Sequence, residues 1–210
     1  MPTLFLFYII TIMPKKIDHD ARRREIALAA VTVIGTNGID NTRLVDVARA
    51  AHVTTGSITH YFEGKNAVLL AALDHVAQNI LHIIRTQSGA ITDRDTLIEL
   101  AGLALPTHED GVRDWRVWLA FFGRAMGDPS LARVNNAYYD EFRDRIAQII
   151  KKQQATGHLS HDIDPALTTD SIITAVDGLG VRASIDPENW PAEKQKAQLR
   201  AMLHPLLPTS

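Results

Sequence analysis

The chain has 210 residues and a mass of 23.2 kDa, room for one domain plus a smaller one or for two modest ones. Hydrophobic residues at 46% and charged residues at 22% are the proportions of a folded globular protein and exclude global disorder. A net charge of −2 excludes a polycation, so contact with nucleic acid must rest on a local concentration of positive charge.

The chain has no cysteine, which removes disulfides, thiolate metal sites, iron–sulfur clusters and thiol nucleophiles and suits a reducing cytoplasm. The first twelve residues stand apart. Leu4-Phe5-Leu6-Phe7-Tyr8-Ile9-Ile10 is densely apolar. It falls short of the ~20 residues that span a bilayer and lacks the basic flank and small-residue cleavage site of a signal peptide. Met13-Pro14-Lys15-Lys16 reads as a natural beginning. Residues 1–12 are expected to be an upstream extension or a disordered tail outside the fold, with an interfacial anchor as the rival reading.

From residue 13 onward the periodicity is helical. A first helix starts near Asp18, buries Ile26, Ala29, Ala30 and Val33 at 3–4 spacing, and ends between Gly35 and Gly38. Asn41 or Thr42 suits the N-cap of a short second helix carrying Leu44, Val47, Ala48 and Ala51. His52-Val53 makes a corner, and Thr54 or Thr55 caps a very short third helix with Ile58 and Phe62. Gly64 is expected to stop it, and a long fourth helix runs from about Lys65 to Arg85. Five more follow: about Asp93 to Leu105, Val112 to Met126, Ser130 to Thr156, Asp164-Pro165 to Ser184, and Pro191 to Leu206. No stretch alternates long enough for a sheet. The fold expected is all-α, about nine helices: a three-helix head over residues 13–64 and a larger helical bundle over 65–210.

Residues 42–62, TRLVDVARAAHVTTGSITHYF, carry the functional signal. Two short helices joined by a tight corner form a helix-turn-helix. If Ile58 and Phe62, four apart, pin the second of the pair, then Thr55, Gly56, Thr59 and His60 face outward. That short polar face suits base edges and phosphates, and Gly56 lets the backbone approach a duplex closely. Local charge agrees in sign: Met13 to Lys65 carries eight basic residues against six acidic ones. Arg22-Arg23-Arg24 is either a phosphate-contacting run or a solvated helix face.

The segment TRLVDVARAAHVTTGSITHYFEGKNAVLLAAL, with the helix before it and the long helix after it, resembles the TetR family of bacterial one-component regulators over about residues 20–75. Trp115-x-x-Trp118-Leu119-Ala120-Phe121, Asp128-Pro129, Tyr138-Tyr139, Gly157, Asp177-Gly178-Leu179 and Asp186-Pro187 resemble the C-terminal domain of its BetI-type, choline-responsive branch. The resemblance implies a cytoplasmic homodimer that binds palindromic double-stranded operator DNA as a repressor and is released when a small molecule enters the C-terminal domain and moves the fourth helix. Carried over by position, Thr42 caps the second helix beside a phosphate and Arg43 follows it. Thr54, Thr55, Gly56, Ser57, Thr59 and His60 lie at or near the major groove, and Tyr61 and Lys65 reach backbone phosphates. The family usually has glycine where this chain has His52. A left-handed residue there costs about 1 kcal/mol, and His tolerates it better than most.

Trp115, Trp118, Phe122, Tyr138, Tyr139 and Phe142, with Phe121, Met126 and Asp177, are candidates to line an effector cavity, conceivable as an aromatic cage for a quaternary ammonium. Ordinary core packing is the competing reading for each. Arg124 is either a pocket group or a surface or interface pair. His158-x-x-His161-Asp162 with Asp164 has metal-like composition, but a surface loop is the better reading and no metal or other cofactor is expected. Ile172, Ile173, Val176, Leu179, Val181, Leu199, Met202 and Leu203 on the last two helices would build a dimer interface, or pack inside one chain. The sequence has no glycine-rich phosphate loop, G-x-S-x-G or H-E-x-x-H, so no enzymatic activity is expected. No membrane association is expected either. The alternative is an architectural DNA-binding protein without an effector. A cavity of some hundreds of Å³ beneath the fourth helix, by the sizes usual for ligand sites, would separate the two readings.

Overall fold

The computed structural model describes residues 18–209, so the reading of residues 1–12 lies outside the described residues. Within them are nine α-helices and no strand: α1 His19–Asn37, α2 Leu44–Ala50, α3 Thr55–Tyr61, α4 Gly64–Gln87, α5 Arg94–Gly102, α6 Glu109–Ala125, α7 Pro129–Ala155, α8 Pro165–Ile185 and α9 Ala192–Leu203. Short 3₁₀ turns follow α4 and α9.

Most helix starts are set by side-chain caps. Asp18, Asp93, Asp128 and Asp164 each accept hydrogen bonds from backbone N–H groups in the first turn of the helix that follows. Pro129 and Pro165 occupy the first helical position, where no N–H is required. Gly38, with φ of 77°, closes α1 as expected.

Four boundaries differ from the sequence expectation. The N-cap position of α2 is Arg43, not Asn41 or Thr42. Thr42 is 1% exposed, and its Oγ1 donates inward to the Gly38 carbonyl at 2.8 Å. Gly64, with φ of 82°, opens α4 rather than closing α3, which ends at Tyr61 with Phe62 as its C-cap. α5 stops at Gly102, because Leu103, Ala104 and Leu105 turn back through i→i+3 bonds and bury Leu105. The last three residues expected in the final helix, His204–Leu206, form a separate 3₁₀ turn after α9.

Helices α1, α2 and α3 form the head, and α4 leaves it to join α5–α9. The two parts share one continuous apolar core: Ile26, Ile34 and Ile58 from the head meet Val68, Leu69 and Leu73 on α4, and Leu81, Leu97 and Ile150 extend it. Among the described residues, Gly64–Ala90 is the segment long and apolar enough, by length and composition alone, to cross a membrane. Its apolar residues Val68, Leu69, Ala72, Leu73, Val76, Ala77, Leu81 and Ile84 are buried against other helices.

Candidate functional site

The head is built so that one side of α3 is anchored and the other is open. Ile58 is fully buried and Phe62 nearly so. Thr54, Thr55, Gly56, Thr59 and His60 are exposed, and Ser57 and Tyr61 are half-buried. Thr54, not Thr55, is the cap: its Oγ1 accepts from the Ser57 N–H at 3.0 Å, which leaves its hydroxyl proton available to an outside acceptor. Thr59 Oγ1 donates to the Gly56 carbonyl at 3.0 Å, so its remaining capacity toward a partner is as an acceptor and through its methyl group. His52 holds the corner at φ of 53°, the one non-glycine residue with positive φ among the described residues, and Val53 closes the turn by donating its N–H to the Ala48 carbonyl at 2.9 Å.

Charge around this face is organised by Asp46, which sits in the first turn of α2. Arg43 bonds it with both Nε (2.8 Å) and Nη2 (3.2 Å), and Arg49 reaches it at 3.3 Å. The bond from Arg43 is the main cause holding the Asp46 carboxyl below the usual range, and the same pairing raises Arg43. Both guanidinium groups remain about three-quarters exposed, at 71% and 74%. Lys65, at the start of α4, points its Nζ to within 3.5 Å of the Asp40 carbonyl. Of the three consecutive arginines, Arg22 pairs with Glu25 at 2.7 Å, while Arg23 packs over the Phe62 ring at 4.3 Å and donates to the Tyr61 carbonyl. Arg23 therefore fixes the end of α3. No local pattern could have linked it to residues 38 positions away. His19, His60 and Tyr61 complete the corner as a ring cluster, with His19 and Tyr61 centroids 4.6 Å apart.

Three arginines on α6 tie the head to the body. Arg116 donates to the Gly35 carbonyl at 2.9 Å, the Arg113 side chain lies across Gly35, and Arg124 pairs with Asp40 at 2.6 Å. Arg124 is thus an inter-part ion pair and does not line the cavity.

That cavity, about 150 Å³, lies beneath α4 and is enclosed by α4, α5, α6, α7 and α8. It is smaller than the sequence reading required. Of the predicted ligand-binding set, Trp115, Trp118, Tyr139, Phe142 and Asp177 line it. Phe122 and Tyr138 do not. Phe122 packs behind Trp118 and Tyr139, and Tyr138 turns outward to donate its hydroxyl to Asp74 at 2.8 Å. Phe121 is core, and Met126 is exposed. Trp115 donates its indole N–H to the Ala104 carbonyl at 2.7 Å. Trp118 donates to the Tyr139 hydroxyl at 3.3 Å, which in turn donates to Asp177 at 2.8 Å. Asp177 has no ion-pair partner within 4 Å among the described residues, and burial raises its carboxyl to about 6 against the opposing effect of the Tyr139 bond. Burial likewise raises the Tyr139 hydroxyl well above its ordinary value.

The sequence reading missed Asp114, Asn79 and His108. Asn79 donates to Asp114 Oδ2 at 3.4 Å, while Asp114 Oδ1 is buried without a hydrogen-bond partner and burial raises this carboxyl too. His108 caps α6 by accepting the Gly111 N–H at 2.8 Å. Asp114 was legible in one respect: it stands four before Trp118 and seven before Phe121, on the inward stripe of α6. His75 and His82 lie outside this cavity. In the loop before α8, His158 Nδ1 lies 3.1 Å from Gln153 Oε1 and Asp164 caps α8; among the described residues no group of three or more His, Asp or Glu is placed to hold a metal ion.

The predicted interface residues divide. Ile172, Leu179, Leu199 and Leu203 are buried within the chain, which corrects their assignment to a surface. Outward on α8 instead runs Leu167, Ser171, Thr174, Gly178, Val181 and Ile185, a stripe at alternating four- and three-residue spacing, with Leu167 and Ile185 each 68% exposed. Met202 on α9 is also exposed.

Residues 26–72 match the family model described as bacterial regulatory proteins, tetR family, and residues 93–208 match that described as BetI-type transcriptional repressor, C-terminal. The chain is 26% identical over 178 residues to the HTH-type transcriptional regulator PksA of Bacillus subtilis, covering 83% of this chain and 84% of that one. It is 23% identical over 194 residues to the HTH-type transcriptional regulator BetI of Proteus mirabilis, covering 88% and 90%. A transcriptional regulator from Saccharomonospora viridis, solved in complex with choline, superposes with a TM-score of 0.79 at 23% identity over 91% of this chain and 99% of that one.

Proposed function

The chain belongs to the tetR family of bacterial transcriptional regulators, with a C-terminal domain of the BetI type, and from that premise we propose that it is a repressor whose α3 face enters operator DNA and whose cavity takes a small organic cation that releases it. The observation that carries the DNA-binding half is the anchored and open division of α3: Ile58 and Phe62 are buried, while Thr55, Gly56, Thr59 and His60 are uncovered by the rest of the chain. In this reading Thr55, Gly56, Thr59 and His60 meet base edges, with Thr54 and Ser57 at the rim. Arg43, Tyr61 and Lys65 meet phosphates. Thr42, with its hydroxyl turned inward to Gly38, supports the start of α2 rather than touching DNA through its side chain.

The cation half rests on Asp177. An unpaired carboxylate at about 6 is ionised at neutral pH, and it sits beside Trp118, Tyr139 and Phe142, whose ring faces attract cations. Asp114, whose Oδ1 has no hydrogen bond and lies 3.8 Å from Arg113 Nε, supplies a second acceptor at the same cavity. The choline complex of the structural neighbour points to the same class of ligand. A cavity of about 150 Å³ accepts a compact molecule of roughly benzene's size. Its volume falls short of the size expected for an effector site; the buried Asp177 carboxylate among aromatic rings, not the volume, favours an effector-responsive regulator over an architectural protein.

The outward stripe of α8, with small residues at Ser171 and Gly178 between Leu167 and Ile185, pairs with its symmetry mate in a homodimer, and Met202 of α9 extends the contact. Helix α6 carries cavity residues Asp114, Trp115 and Trp118 and head contacts Arg113, Arg116 and Arg124 on one rigid element. Helix α4 runs from the DNA side at Lys65 to the cavity at Val76, Asn79 and Ile80, roughly 16–23 Å along its axis. A cation that shifts either helix moves the heads.

Two substitutions separate base reading from phosphate contact. Thr59→Ala weakens binding to the preferred operator by ~1–3 kcal/mol and relaxes sequence preference. Lys65→Ala weakens binding to all duplexes alike and lowers the salt slope by about one. Fluorescence anisotropy with specific and scrambled duplexes over a salt series reads both. Uniform loss for Thr59→Ala, or operator-confined loss for Lys65→Ala, contradicts the placement.

A further inference from the structure

Glycine at position 180 has a specific consequence for the cavity. Gly180 is buried on α8, three residues after Asp177, so the two share a face of that helix. A Cβ built on Gly180 would lie 2.1 Å from both Cη2 and Cζ2 of Trp115 and 2.5 Å from Cε2. The indole ring is therefore seated directly on the Gly180 backbone. Nε1, bonded to Cε2 on this same edge, donates to the Ala104 carbonyl, so the edge seated on Gly180 is also the tethered one. With the ring drawn back into this notch, the cavity beside Asp177 stays open.

We infer that Gly180 is a specificity-determining residue: by giving Trp115 a notch to retreat into, it sets the upper size limit of the ligand that fits beside Asp177. The inference rests on the cavity being the effector site. Any side chain at 180 moves the ring by more than 1 Å to reach an ordinary carbon–carbon contact of about 3.5–4.0 Å. A side chain at 180 closes the notch on that side, and the ring already lines the cavity, so a displaced ring moves toward the cavity and takes space from the larger ligands first. Gly180 touches no ligand; it acts through Trp115.

The test uses two pairs of probes, tetramethylammonium with tetraethylammonium and benzene with propylbenzene. Their binding to the full chain, G180A, W115L and G180A/W115L is measured by calorimetry. G180A loses affinity for the larger member of each pair by about tenfold or more while the smaller changes little, because a pocket discriminates by one or two methylenes at about that level. W115L and the double variant bind the larger members at least as well as the unaltered protein. Equal weakening of both members in G180A, or no recovery in the double variant, overturns the size-limit role. If G180A does not fold, W115L decides: it must favour the larger members over the smaller, and failure to do so overturns the inference. If hydrocarbons follow the pattern and neither ammonium ion binds the unaltered protein, the notch stands and the cationic effector is refuted. Binding of none of the four overturns both.

Discussion

Asp177→Asn abolishes the response to a cationic effector and, at neutral pH, stabilises the empty protein. The two effects have one cause. Burial with no cation beside it raises the carboxyl's pKa to about 6, against the lowering effect of the Tyr139 hydroxyl that donates to it. A ligand cation supplies the missing charge, and removing the carboxylate costs about 2–5 kcal/mol of effector binding. Asn keeps an acceptor for Tyr139, so the pocket keeps its shape. The folded state binds this proton more tightly than the unfolded chain, whose value is near 3.8. Stability from this group is therefore fully present below about pH 4 and is lost as pH rises through about 6, by at most about 3 kcal/mol. Effector binding runs oppositely: it needs the ionised form and weakens as pH falls through 6. Thermal unfolding of both proteins between pH 5 and 8 checks the first, with the advantage of the Asn variant growing as pH rises. Effector titration over the same range checks the second. An Asn variant that is less stable at pH 7.5, or that still releases DNA, contradicts the account.

Ile58→Ala has the largest expected effect on the head. Ile58 is fully buried in the core shared by α1, α2 and α4, on the inner side of a seven-residue helix that cannot stand alone. Removing its side chain from such a site costs about 2–5 kcal/mol. The loss falls on the element that presents Thr59 and His60, so operator binding fails with folding. Thr59→Ala, one position on but exposed, leaves stability within about 0.5 kcal/mol and impairs only binding. Melting curves and operator titrations of the two variants should separate cleanly. An Ile58→Ala protein of unchanged midpoint contradicts the anchoring.

What the sequence made legible was local. Asp18, Thr54, Asp128-Pro129 and Asp164-Pro165 mark helix starts within a few residues, and the i,i+4 pair Ile58 and Phe62 orients α3 because both act over one turn. The rest depended on how helices rotate against each other. Adjacent Tyr138 and Tyr139 differ by about 100° around α7, so one reaches Asp74 on the outside and the other Asp177 on the inside. Trp118 and Phe122 share a face, yet only the first reaches the cavity. The Arg23 contact with Tyr61 and the Gly180 notch each join residues whose meeting no spacing rule encodes. The outward stripe of α8 was readable but hidden by the choice of its most hydrophobic residues, which bury inside the chain.

The central claim is that the open side of α3 reads a duplex. Selection of bound duplexes from a random library, with the unaltered protein and with a variant carrying both Thr59→Ala and His60→Ala, tests it most directly. The account predicts an inverted repeat with equivalent half-sites, bound by two chains, and loss of that enrichment in the variant. Recovery of no preferred sequence, or of the same repeat with both side chains removed, contradicts it.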